Sequence, residues 1–116
     1  MLLKNRSGKA AKSRAHAPIF AALGDETRLS LVAKLCDGQP CSISQLTHGS
    51  RLTRQAITKH LRVLEKAALV RSVYVGRECL FELIPEPIDE MKKYLDRVSE
   101  LWDRKFARLK SLVEGT

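Results

Sequence analysis

Gln55, Thr58, Lys59, Arg62 and Lys66 fall at i, i+3, i+4, i+7 and i+11, with Arg54 one position earlier. On a helix that spacing draws one stripe. These side chains suit one kind of chemistry. Arg and Gln can each make paired hydrogen bonds to the edges of guanine and adenine, while Lys and Arg neutralise phosphate. Ile57, Leu61, Leu64 and Ala68 recur at helical spacing on another face and are expected to point into a core. Arg54 sits in the first turn, where its charge opposes the helix dipole at a cost of about 0.3–1 kcal/mol. A locally unfavourable residue of this kind often serves something outside the fold.

A second pattern follows at once. Residues 70–75 and 78–84 are rich in β-branched and aromatic types, and Gly76-Arg77 between them suits a two-residue type II′ hairpin with Arg77 at its tip. A polar-basic helix backed by a basic two-stranded wing is suited to duplex DNA. Arg54, Gln55, Thr58 and Lys59 are expected at base edges, and Arg62 and Lys66 at phosphates. Ser50 and Thr53 are further phosphate candidates, Thr53 also serving as the helix cap. Arg77 is expected in the minor groove, whose potential attracts inserted Arg, or on a phosphate.

The charge distribution decides between this reading and a merely solvated helix face. Net charge is +8 over 116 residues. Residues 51–77 carry seven bases and one acid, Glu65, a balance of +6, whereas residues 86–114 carry seven of each sign and cancel. The basic excess therefore sits in the helix-plus-wing unit and in residues 1–24, which have five bases and no acid. Such a distribution points to an anionic partner, nucleic acid ahead of a membrane surface.

The remaining elements must hold this unit. Residues 1–16 are expected to be a disordered basic arm, whose electrostatic contribution to binding is an open question. Residues 17–85 form the candidate DNA-binding domain, and residues 86–114 a dimerisation helix. Pro18 is placed to open a first short helix bearing Ile19, Phe20 and Leu23. Asp25 is expected to cap the next, with Leu29, Val32, Ala33 and Cys36 on its buried face. Ser42-Ile43-Ser44-Gln45 fits a capping box that starts a short helix with Ile43 and Leu46 inward. Pro85 and Pro87 break the second wing strand and introduce the last helix. There Ile88, Leu95, Trp102 and Leu109 repeat every seven residues, with Met91 and Val98 beside them. That heptad stripe is expected to pair, together with Phe20, across a homodimer. The fold class is mainly α with a small β-hairpin, a winged helix-turn-helix in the order α-α-α-α-β-β-α.

Phe20-Ala21-Ala22-Leu23-Gly24-Asp25-Glu26-Thr27-Arg28-Leu29 resembles the "aLadptRl" opening of the ArsR/SmtB family of winged-helix bacterial repressors. Residues 52–64 are similar to that family's recognition helix. Ala67-Ala68-Leu69-Val70-Arg71, followed by Val75-Gly76-Arg77-Glu78, looks like its "aGLV…reGr" wing. The resemblance covers residues 17–84 and implies a dimeric repressor that leaves its operator when an inducer, here unknown, binds. Thiol-sensing members carry a Cys-x-Cys pair where this chain has Ser42 and Ser44, with Cys41 just outside. Zinc-sensing members carry His and acidic ligands along the last helix, and residues 86–114 contain no His. The chain thus looks more like members that regulate without a metal, and no cofactor is expected.

Cys36, Cys41 and Cys79 make no even disulfide framework and suit a reducing cytoplasm, as buried thiols or as a redox or thiophilic-metal switch. No apolar run is long enough to span a bilayer, so no membrane partner is expected. No nucleophile–base pair, Gly-rich phosphate loop or paired carboxylates are present, which argues against an enzyme. Two other readings stay open, a thiol- or metal-responsive sensor repressor and a winged helix that docks protein instead of DNA.

Overall fold

The computed structural model describes residues 16–115, so the expected basic arm, apart from its last residue, lies outside the described residues. The order is α1 (16–23), α2 (Glu26–Leu35), β1 (Cys41–Ser42), α3 (Ile43–Thr47), α4 (Arg54–Lys66), β2 (Val70–Val75), β3 (Glu78–Leu83) and α5 (Pro85–Glu114). This is the winged helix-turn-helix arrangement, with one strand more than the sequence suggested. Cys41 pairs with Phe81 and Ser42 with Leu80, giving a three-stranded antiparallel sheet in the order β1-β3-β2.

The starts of α2, α3 and α4 each follow from a local cap. The Asp25 carboxylate accepts from the Arg28 N–H, and the Thr53 hydroxyl accepts from the Ala56 N–H at 3.1 Å. Ser42 and Gln45 form the full capping box, each side chain bonded to the other's backbone N–H. Such caps satisfy N–H groups that have no partner inside the helix, each stabilising by about 1 kcal/mol. Helix α4 ends in a Schellman motif. The Leu69 N–H reaches Leu64 O and the Ala68 N–H reaches Glu65 O, both at 2.9 Å. The motif needs a left-handed residue, and Ala68 supplies it at φ 59°. Ala68 is therefore exposed past the helix end rather than turned inward as its spacing suggested.

The core gathers Leu31 and Leu35 of α2, Leu46 of α3, Ile57, Leu61 and Leu64 of α4, and Leu69, Val70 and Phe81 around the sheet, all buried. Fully burying each such side chain stabilises by about 1.5–3 kcal/mol. The inward face of α2 differs from expectation. Leu29 is 54% exposed, and Ala33 and Cys36 are exposed too, while Leu31, Val32 and Leu35 are buried. Helix α2 is apolar on more than one side, and Leu31 and Leu35 join the buried core while the equally large Leu29 faces outward. Arg28 lies on that inner side, where its Nε donates to Ala22 O and its Nη1 donates to His60 Nδ1 at 3.3 Å. The chain is already helical at residues 16 and 17, so Pro18 lies within α1 rather than opening it. His16, assigned to the arm, packs its ring 5.2 Å from that of Tyr94.

Helix α5 has 30 residues and starts with Pro85 in its first turn. At about 1.5 Å per residue it runs for roughly 45 Å. Its first turns belong to the subunit's own core. Met91, expected at a dimer contact, is only 6% exposed and packs inside the subunit, which corrects that expectation. Ile88 and Phe20 are half-buried against the same core. Farther along, Val98 is half-buried, and Leu95, Leu101, Trp102, Phe106 and Leu109 are exposed. No described helix is long and apolar enough to cross a membrane.

Candidate nucleic-acid interface

Burial of Ile57, Leu61 and Leu64 fixes the roll of α4. That roll turns Arg54, Gln55, Lys59, Arg62 and Lys66 to solvent, with Thr58 half-exposed. The helix-turn-helix unit, rather than α4 alone, is held at three places. The Lys34 ammonium donates to Leu46 O at 3.2 Å and ties α2 to α3. Arg28 and Asp25 meet His60 from the other side, with His60 Nδ1 3.7 Å from the Asp25 carboxylate. The Schellman turn then leads directly into β2.

Arg54, Gln55 and Lys59 have no side-chain hydrogen bond or ion pair among the described residues. Their polar ends remain available to a ligand. Thr58 is different, because its hydroxyl donates to Arg54 O at 2.7 Å. It can offer a ligand its oxygen lone pair or its methyl group, not a hydrogen. Ser50 and Thr53 use their oxygens as acceptors, from the Leu52 and Ala56 N–H groups, which leaves both hydroxyl hydrogens to donate outward.

Arg62 is engaged within the subunit. Its Nη1 donates to Glu65 Oε1 at 2.8 Å, and this bond raises the guanidinium's pKa above its ordinary value. Glu65 was not among the sequence-derived site residues, although the i, i+3 spacing could have paired it with Arg62. Its carboxyl is held below the usual range, first by the Ser72 hydroxyl and then by Arg62. Lys66 is exposed and flanks an apolar groove lined by Pro18, Ala21, Ala22, Val63 and Ala67.

The wing tip has the expected geometry. Val75 faces Glu78 across a two-residue turn, and Gly76 has φ 64° while Arg77 does not have positive φ. That is the pattern of a turn with glycine first, and it leaves Arg77 exposed at the tip. Arg71 is spoken for, donating to Glu82 on the neighbouring strand at 2.6 Å. Tyr74 was also overlooked. It is 73% exposed and shares the strand face of Val70 and Ser72, the face turned towards α4.

The thiols do not assemble into a site. All three cysteines are free. Cys36 is exposed, against the expectation of a buried thiol, because it follows the last turn of α2 on the solvent side. Cys41 and Cys79 are half-buried against the core. Burial, then the nearby Asp37, pushes the Cys41 thiol up from its ordinary value, so it stays protonated at neutral pH. Among the described residues, no group of three or more His, Cys, Asp or Glu side chains could hold a metal ion.

Comparison with known proteins agrees with this geometry. Residues 25–72 match the family model described as bacterial regulatory protein, arsR family. The chain is 37% identical over 81 residues to the HTH-type transcriptional regulator YuzN of Bacillus subtilis, spanning 65% of this chain and 88% of that protein. It is 30% identical over 96 residues to the HTH-type transcriptional regulator Rv2034 of Mycobacterium tuberculosis, spanning 83% and 86%. The solved structure of an ArsR-like transcriptional regulator from Rhodococcus sp. RHA1 superposes with a TM-score of 0.72 at 36% identity, covering 90% of this chain and 95% of that one. A helix-turn-helix with an outward polar stripe, a wing tipped by Arg77 and these relatives place the chain in one group: it belongs to the ArsR family of DNA-binding transcriptional regulators.

Proposed function

We propose that this regulator is a homodimeric repressor that binds a pseudo-palindromic operator and leaves it when an inducer binds. Each subunit lays α4 in a major groove. Arg54 and Gln55 bond base edges, assisted by Lys59 and by the oxygen or methyl of Thr58. Ser50, Thr53 and Lys66 grip phosphates, Arg62 reaches one from its pairing with Glu65, and Arg77 enters the flanking minor groove or meets its phosphates. Two such helices, joined through α5, fit half-sites about one helical turn apart, ~34–36 Å, or a multiple of it. An inducer acts by altering that spacing through the dimer helices.

The observation that carries the reading is the set Arg54, Gln55 and Lys59. All three are exposed and without side-chain partners among the described residues, on a helix whose other face is sealed in the core. The dimer reading rests on the exposed apolar run along α5. Gel-shift titration of a duplex selected from a random pool tests the DNA contact. Binding should be sequence-specific, weaken steeply with salt, and vanish in a folded Gln55→Ala/Lys59→Ala double variant. Retained specific binding in that variant contradicts the assignment. A chain that ignores duplex DNA even at low salt is instead a protein-docking winged helix.

A further inference from the structure

Glu65 is the lone acid among residues 51–77, and the DNA-contact reading gives it no task. Its two oxygens are both occupied, by different elements. Oε1 accepts from Arg62 Nη1 at 2.8 Å on α4 itself, and Oε2 accepts from Ser72 Oγ at 2.7 Å on β2. An ordinary exposed i, i+3 pair contributes little. This carboxylate does more, because Ser72 lies at the root of the wing, and the side chain is only 31% exposed. It ties the wing to the recognition helix and binds a cation of the DNA-facing stripe in the same stroke. Its negative charge also occupies a guanidinium hydrogen of Arg62 that a phosphate would otherwise take.

We propose that Glu65 is a positioning and specificity-setting residue, fixing the wing root to α4 through Ser72 and restraining Arg62 so that it adds little unselective phosphate affinity. The inference rests on the proposed DNA contact and gives it a finer ledger. Arg62 reaches phosphate only against the pull of Glu65, so its contribution in the native protein is muted. Binding then leans on the base-reading residues Arg54 and Gln55. The lowered Glu65 carboxyl agrees with a group held charged by both partners.

Salt titration separates the two roles, because each phosphate neutralised steepens the log–log salt slope by about 0.9. Anisotropy titrations of full-length protein would use a selected operator and a scrambled duplex of equal length. Glu65→Gln keeps an acceptor for Ser72 but releases Arg62. Its slope should steepen by up to about 0.9 per subunit. Its affinity for the scrambled duplex should rise several-fold at low salt, and the operator-to-scrambled ratio should fall. Ser72→Ala keeps the Arg62 pair and should lower operator affinity without moving the slope. Arg62→Ala in the native background should flatten the slope by far less than 0.9 per subunit. A Glu65→Gln protein with the native slope, or an Arg62→Ala protein that loses the full increment, overturns the proposal. If the native protein binds no duplex in a salt-dependent way, the DNA-contact reading falls and this one falls with it. Steep native binding with an unchanged Glu65→Gln slope removes this inference alone.

Discussion

Replacing Trp102 with Ala should separate the proposed dimer while leaving the subunit folded. Trp102 keeps 55% of its surface exposed in the subunit, in contact distance of Phe106 with ring centroids 5.8 Å apart. A Trp carries up to about 250 Å² of buriable surface. Covering the exposed remainder would take roughly 140 Å² from water, or about 3.5 kcal/mol at about 25 cal/mol per Å². The Ala methyl and imperfect coverage reduce that to about 2–3 kcal/mol per subunit. Two subunits lose it together, so the dimer dissociation constant should rise by about three to four orders of magnitude at about 1.4 kcal/mol per tenfold. Alanine is the best helix former, so α5 should persist. Sedimentation equilibrium measures the constant, circular dichroism confirms the helix, and operator affinity should fall with the loss of dimer. A Trp102→Ala protein that stays dimeric with an unchanged dissociation constant refutes the pairing of this face.

Other substitutions address the fold and its chemistry. Ala68→Gly should stabilise by about 0.5–1 kcal/mol in urea unfolding, since a left-handed alanine costs about 1–2 kcal/mol and glycine returns part of that in chain entropy. Leu61→Ala, at a fully buried position, should destabilise by about 2–5 kcal/mol. The Glu65 and Asp25 carboxyls are both lowered in the folded chain, the first chiefly by Ser72 and the second chiefly by the Arg28 N–H. Their stabilising contribution is complete above their ordinary values of 4.5 and 3.8 and is lost as pH falls through the folded values. Unfolding midpoints should therefore drop on acidification, and less so in Glu65→Gln. With a thiol reagent at neutral pH, exposed Cys36 should be modified well before Cys41, whose thiol is pushed up; mass spectrometry of partly labelled protein gives the order.

What the sequence disclosed was what local physics determines. The capping residues Asp25, Ser42 and Thr53 announced three helix starts, because a cap is a contact made within three residues. The inward face of α4 was legible because Ile57, Leu61 and Leu64 are separated from a clearly polar face. Helix α2 lacks that contrast, so its buried side depended on which leucines fill the space beneath α4. Strand β1 was hidden for a similar reason. Two residues have no periodicity, and only the register against Leu80 and Phe81 makes Cys41-Ser42 a strand. The heptad of α5 continued into Met91, yet the first turns of that helix cover the subunit's own core, a division that spacing cannot reveal. In the candidate interface, the stripe was readable and the restraint on Arg62 was not, because Glu65 takes its meaning from Ser72 on another element.

The most direct measurement is the side-chain amide resonance of Gln55 in isotope-labelled protein, followed during titration with the selected operator and with a scrambled duplex. A base-reading Gln55 predicts a large shift and slowed solvent exchange of its Nε2 hydrogens on the operator alone. An amide signal that does not respond to the operator while binding is complete contradicts the placement of α4 in the groove.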